Sequence, residues 1–145
     1  MSALWQNKIL LTALIAWALA QGLKVPFTLM TSRKWDFRRL ISPGGMPSSH
    51  SALVSALAVA VGRVRGFAAP ETAIALVFAF VVMYDSAGVR RAAGAQASVL
   101  NKIVDEVFHG GKFREERLRE LLGHTPVEVF AGALLGLLVA SAMKL

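Results

Sequence analysis

Residues 129–143 read VFAGALLGLLVASAM, fifteen consecutive positions without a charge and without a polar face. A surface helix of a soluble domain keeps one side for water, so a helix that is apolar around its whole circumference belongs in a core or in a bilayer. Residues 72–84, TAIALVFAFVVMY, have the same character. Ala, Gly and Ser are frequent in these stretches, and Gly132 and Gly136 form a small-xxx-small pair of the kind that lets helices approach closely in lipid.

Two further stretches, 9–23 and 40–62, are almost free of charge, which gives runs of 15, 23, 13 and 15 residues in chain order. A membrane span uses about 20 apolar residues, and runs of about 10–14 are also found as core helices. The all-round apolar character favours the bilayer. The expectation is an all-α integral membrane helical bundle with about four short transmembrane helices, accommodated by little tilt or local bilayer thinning.

Composition agrees. Of 145 residues, 55% are hydrophobic and 17% charged, and mean hydropathy is +0.55, which excludes disorder and collagen-like structure. The absence of cysteine excludes disulfides, thiolate metal sites and cysteine nucleophiles. No linker or internal repeat divides the chain, so residues 1–145 read as one membrane-embedded domain. The opening stretch reads neither as a cleavable signal nor as a transit peptide.

The net charge of +7 would suit nucleic acid, anionic lipid or an anionic substrate, and its position along the chain separates these. With four spans, Lys24, the turn before His50, the segment from Asp85 to Arg91 and the segment from His124 to Glu128 share one face. That face carries 12 of the 16 basic residues, and nine remain against four when three are assigned to a site. The positive-inside tendency makes it cytoplasmic, with both termini opposite.

Three segments on that face carry chemistry. In GGMPSSHSA, residues 44–52, Pro47 suits the first turn of a helix. The glycines and the helix start present backbone N–H groups to an anion. Ser48 and Ser49 add hydroxyls, and His50 adds a group that exchanges a proton near neutral pH. The plainer reading is a Gly-Pro turn with serine caps.

In GHTPVEV, residues 123–129, His124 and Glu128 stand four apart and share one helix face, so the carboxylate can fix the imidazole tautomer. An oriented histidine of this kind is a nucleophile. Pro126 starts the regular helix and puts His124 near its N-cap, and the plainer reading gives both residues to capping. In YDSAGVRRAAGAQASVLN, residues 84–101, Arg90 and Arg91 follow the third span, where a guanidinium grips phosphate oxygens in pairs or marks membrane orientation. Val89, Ala93, Leu100, Val104 and Val107 form an apolar stripe, so an amphipathic helix continues along the motif-bearing face. Lys24 is either a snorkelling helix-end lysine or a phosphate ligand. No metal site is expected, because the nearby Lys and Arg favour a bound anion. His109 reads as a loop residue, and residues 113–122 as a short surface helix.

Taken in order, PSSHSA, YDSAGVRR and GHTPVEV resemble the divergent branch of the type 2 phosphatidic acid phosphatase superfamily, related to acid phosphatases and vanadium-dependent haloperoxidases. The resemblance runs from about Leu19 to Gly136. It implies a helical bundle, no cofactor, His50 as general acid, His124 as nucleophile and Glu128 as its carboxylate partner. Lys24, Ser48, Ser49 and Arg90 or Arg91 would bind phosphate. The sequence departs from the pattern at four places: Ser49 replaces glycine, Glu128 replaces aspartate, and Thr31 and Leu118 stand where motif arginines are expected.

The function this implies is a metal-independent membrane phosphohydrolase for a lipid-borne phosphomonoester or pyrophosphate. The alternative is a non-catalytic membrane protein that binds anionic head groups or a partner through the same site. Nucleic acid is not an expected partner, since no groove-binding motif is present and only Trp35 and Phe37 accompany the first basic cluster. Assembly of identical copies is compatible with the sequence.

Overall fold

Small residues decide where the helices touch. The computed structural model describes residues 2–32, 45–107 and 123–145, and among them six helices and no strands form. These are α1 (Ser2–Trp5), α2 (Lys8–Ser32), α3 (Ser49–Arg65), α4 (Pro70–Ala87), α5 (Val89–Val107) and α6 (Pro126–Ala142). α3 is the axis of the bundle, with α2, α4 and α6 all packed on it, and α2 also meets α6.

One side of α3 gives Ala52 and Ala56 to a core completed by Ala16 and Ala20 of α2 and Ala140 of α6. The other side gives Val54 and Ala58 to Ala75 and Ala79 of α4. The large hydrophobics point outward instead: Phe78, Phe80 and Phe130 are 52%, 67% and 71% exposed. An alanine core wrapped in phenylalanine, leucine and valine is the reverse of a water-soluble arrangement, where so large an apolar surface would drive association. In lipid it has no such cost, and close backbone packing holds the helices together.

The residues 8–30 and the run from Pro70 to Val104 are long and apolar enough to cross a membrane. α3 and α6 have 17 residues each. Such a helix is about 26 Å long, a little under the roughly 30 Å hydrocarbon core. The four-span expectation therefore rests on two stretches that qualify, on α6, which is apolar but short, and on α3, which is short and, with His50, Arg63 and Arg65, less apolar.

Two boundaries differ from the sequence reading. The first helix does not end at Lys24 but continues to Ser32, carrying Pro26 inside it. Proline there forgoes only the bond to the Gly22 carbonyl, and the apolar surroundings favour keeping every other backbone group paired within the helix. Pro47 does not open α3. It precedes the N-cap, which is Ser48. α6 begins where the sequence places it: Pro126 is its first residue, Thr125 the N-cap, and His124 stands just before the cap.

α5 follows α4 with helical hydrogen bonds on both sides of the joint, from Gly88 N–H to Tyr84 O at 2.8 Å and from Ala92 N–H to Gly88 O at 3.0 Å. Of the apolar stripe, the side chains of Val89 and Val107 lie outside the described residues. Leu100 is half exposed and Ala93 is exposed, whereas Gly94, Ala97 and Asn101 are buried. Small residues again mark the packed face, and the bulky ones turn outward.

At the far end of the bundle Arg63 of α3 closes the end of α6, donating to the carbonyls of Ala140, Ser141 and Met143. These are among the carbonyls that a helix C-terminus leaves without intrahelical partners.

Candidate active site

Two loops enter the opposite end of the bundle, and each turns on a glycine in the left-handed region: Gly45 at φ +89° before α3 and Gly123 at φ +108° before α6. A side chain at either would be strained, so glycine is what these turns require. Backbone hydrogen bonds then lock the loops to the helices. Ser48 N–H donates to Glu128 O at 3.0 Å, tying the start of α3 to the first turn of α6. His124 N–H donates to Ser86 O at 3.0 Å, tying the α6 loop to the end of α4.

His124 is 3% exposed, and its Nδ1 lies 3.1 Å from Oε2 of Glu128. The same Glu128 oxygen accepts the Thr125 N–H at 3.0 Å, while Glu128 N–H donates to Thr125 Oγ1 at 3.3 Å. This reciprocal capping box holds the carboxylate in place. Glu128 therefore both caps α6 and orients the imidazole. With the proton on Nδ1 shared with the carboxylate, the lone pair sits on Nε2.

The His50 ring stands 6.0 Å from the His124 ring, centre to centre, and tilted by 59°. His50 is exposed while His124 is buried, so one ring opens outward and the other closes the floor.

Lys24, at 3% exposure, does not snorkel to the bundle's edge. It lies inside, its Nζ donating to Ser49 Oγ at 3.5 Å and its stem passing 4.0 Å from where a Cβ on Gly45 would stand. A buried ammonium beside the positive end of α3 makes this point favourable for an anion. Ser48 is fully buried, and its hydroxyl oxygen accepts from Ser51 N–H at 3.3 Å and Ser51 Oγ at 3.1 Å, so it works as the α3 cap. Arg90 and Arg91 lie on α5 and their side chains fall outside the described residues, as do Gly44, His109 and residues 113–122.

The structure thus brings Lys24, Ser49, His50, His124 and Glu128 to one end of the bundle. Among the described residues no group of three or more His, Asp or Glu is arranged to hold a metal ion. Three participants were not singled out in the sequence. Thr125 was findable, since T-P-V-E is a capping-box pattern. Ser51 and Ser86 carried no signal, because their roles depend on which helix lies beside them.

Comparison with known proteins follows the same lines. The sequence model of a family described as the divergent PAP2 family matches residues 5–139. The membrane protein YuiD of Bacillus subtilis (strain 168) is 43% identical over 144 residues, which cover 92% of this chain and 91% of the relative. No solved structure matches.

Proposed function

Since the chain belongs to the divergent PAP2 family, a family of membrane phosphatase-like proteins, we propose that it is a membrane phosphohydrolase acting on a lipid-borne phosphomonoester or pyrophosphate. The observation that carries this reading is the buried His124 held on Glu128 at 3.1 Å with a second imidazole 6.0 Å away. That is the arrangement of an oriented nucleophile facing an acid.

In the proposed reaction Lys24, Ser49 and Arg90 or Arg91 hold the phosphoryl oxygens and offset the charge that builds on them. Nε2 of His124 attacks phosphorus and forms the N–P bond as the P–O bond to the leaving group breaks. His50 gives its proton to the departing oxygen. Water then attacks the phosphohistidine, its proton passes to His50, the N–P bond breaks, and inorganic phosphate leaves with His124 regenerated. Glu128 stabilises the imidazole that carries positive charge in both steps. The basic excess assigns this face to the cytoplasmic side.

The absent motif arginines, replaced by Thr31 and Leu118, favour a second reading in which the site binds a phosphate head group without turnover. Phosphate release from phosphatidic acid and from a polyprenyl diphosphate, measured on the purified chain in detergent, separates the two. Release that vanadate blocks and that His124→Ala abolishes supports hydrolysis. Vanadate binding without release supports the second reading, and release that survives His124→Ala at full rate refutes the nucleophile assignment.

A further inference from the structure

Serine and threonine hydroxyls inside a helix commonly bond back to the carbonyl four residues earlier, which satisfies them where they are buried. Thr12 donates in this way to Lys8 O at 2.8 Å, and Ser55 to Ser51 O. Ser86, on the last turn of α4, does not. It is 3% exposed, and its Oγ has no hydrogen-bond partner among the described residues. Its carbonyl is engaged, accepting the His124 N–H at 3.0 Å, so the hydroxyl belongs to the residue on which the proposed nucleophile's loop rests. A buried hydroxyl without a partner costs free energy unless something polar comes to meet it.

Ser86 also lines a cavity of about 360 Å³, together with His50, Asp85, Val81 and Val82. A serine side chain turns about a single bond, so Oγ reaches this cavity by a change of rotamer. A water takes up roughly 30 Å³ and needs about two to four polar partners. The volume is ample, and His50, Asp85 and Ser86 supply the partners. The cavity also lies on the side from which the second half of the proposed reaction draws its water. His50 protonates the leaving oxygen, so the leaving group departs past His50. Displacement of His124 from phosphorus needs a nucleophile in line from that same side.

Resting on the phosphohydrolase reading, we infer that Ser86 holds the water that hydrolyses the phosphohistidine. Once the leaving group has gone, a water stands between His50 and Ser86. It donates one hydrogen to His50 and the other to Ser86 Oγ, which leaves a lone pair aimed at phosphorus. The O–P bond forms as the bond from phosphorus to His124 Nε2 breaks, and that electron pair returns to the nitrogen. One proton passes to His50, and the other stays on the oxygen that leaves within inorganic phosphate. Ser86 takes no part in the first step, when the leaving group fills this place.

Methanol separates this role from a structural one. It has a single hydroxyl hydrogen, which His50 takes, and nothing to give Ser86. The full chain in detergent turns over phosphatidic acid in aqueous methanol, and inorganic phosphate and methyl phosphate are quantified by phosphorus NMR. Ser86→Ala should raise the ratio of methyl phosphate to phosphate about fivefold, the size of one neutral hydrogen bond. In rapid-quench experiments without methanol, the same variant should form phosphohistidine at the wild-type rate and lose it about fivefold more slowly. Its melting temperature should equal or exceed that of wild type, because an unpaired hydroxyl is removed while the carbonyl that holds His124 stays. Vanadate binding should be unchanged. An unchanged product ratio, an equal slowing of both steps, or a lower melting temperature would each overturn the inference, and continued phosphate release would leave the hydrolase reading standing. Wild type that forms neither phosphohistidine nor phosphate would overturn both.

Discussion

Replacing Gly132 with alanine should damage both the fold and the site, by amounts that follow from where the new methyl group would stand. A Cβ on Gly132 would fall on the carbonyl oxygen of Ser48 and lie 3.0 Å from Ser51 Cβ. Neither can swing aside, since one is backbone and the other is fixed at the start of α3. α6 must therefore retreat by about 1 Å to restore ordinary contact distances. Overpacking of this kind costs typically about 1–3 kcal/mol, and an immovable carbonyl puts it near the top of that range. Alanine returns up to about 1 kcal/mol through its helix preference, which leaves a net loss of about 2 kcal/mol. The same retreat strains the Ser48 to Glu128 backbone bond and moves His124 away from His50. A misplacement near 1 Å is worth on the order of 100-fold in rate. Thermal unfolding in detergent, followed by circular dichroism, reads the first effect and phosphate release reads the second. Gly22→Ala is the control: nothing stands within 4 Å of its Cβ, so it should leave stability unchanged or raise it by about 0.5–1 kcal/mol. If Gly132→Ala unfolds at or above the wild-type temperature, the close α3–α6 contact is not what joins the site.

Other perturbations separate structural from chemical roles. Glu128→Gln keeps a capping-box side chain but removes the charge that stabilises the imidazole, so phosphate release should fall by about 100-fold or more with little change in melting temperature. Lys24→Met should weaken vanadate binding at least tenfold while leaving stability equal or higher, because a buried charge is replaced by an apolar side chain of similar length. Arg63→Ala, at the opposite end, should destabilise by about 1–3 kcal/mol through lost bonds to the last α6 carbonyls, without altering vanadate affinity. Phosphate-release assays check the first, vanadate titration the other two, and thermal melts all three.

Much of this arrangement can be read from residue order, and what cannot has a common cause. Apolar character on every side of residues 72–84 and 129–143 identifies helices that face lipid, and the spacing of His124 and Glu128 brings imidazole to carboxylate, because both depend only on the geometry of a single helix. The continuation of α2 to Ser32 past Pro26 was not legible, since proline usually ends a helix in water, and a lipid-facing helix obeys a different rule about unpaired backbone groups. The burial of Lys24 was equally hidden: its sequence position allowed snorkelling or burial, and only the packing of α2 against α3 decides. The packed face of α5 was hidden for the same reason, since Gly94 and Ala97 pack while Leu100 turns out. Ser86 became visible only when the His124 loop was found on its carbonyl.

The central claim is that His124 carries the phosphoryl group during turnover. The most direct measurement is to mix the chain in detergent with phosphatidic acid labelled at phosphate, quench within milliseconds in alkali and map the label by peptide mass spectrometry. Acid-labile, alkali-stable label on residue 124, lost in His124→Ala, is the predicted result. Phosphate release with label on another residue, or undiminished release from His124→Ala, would contradict it.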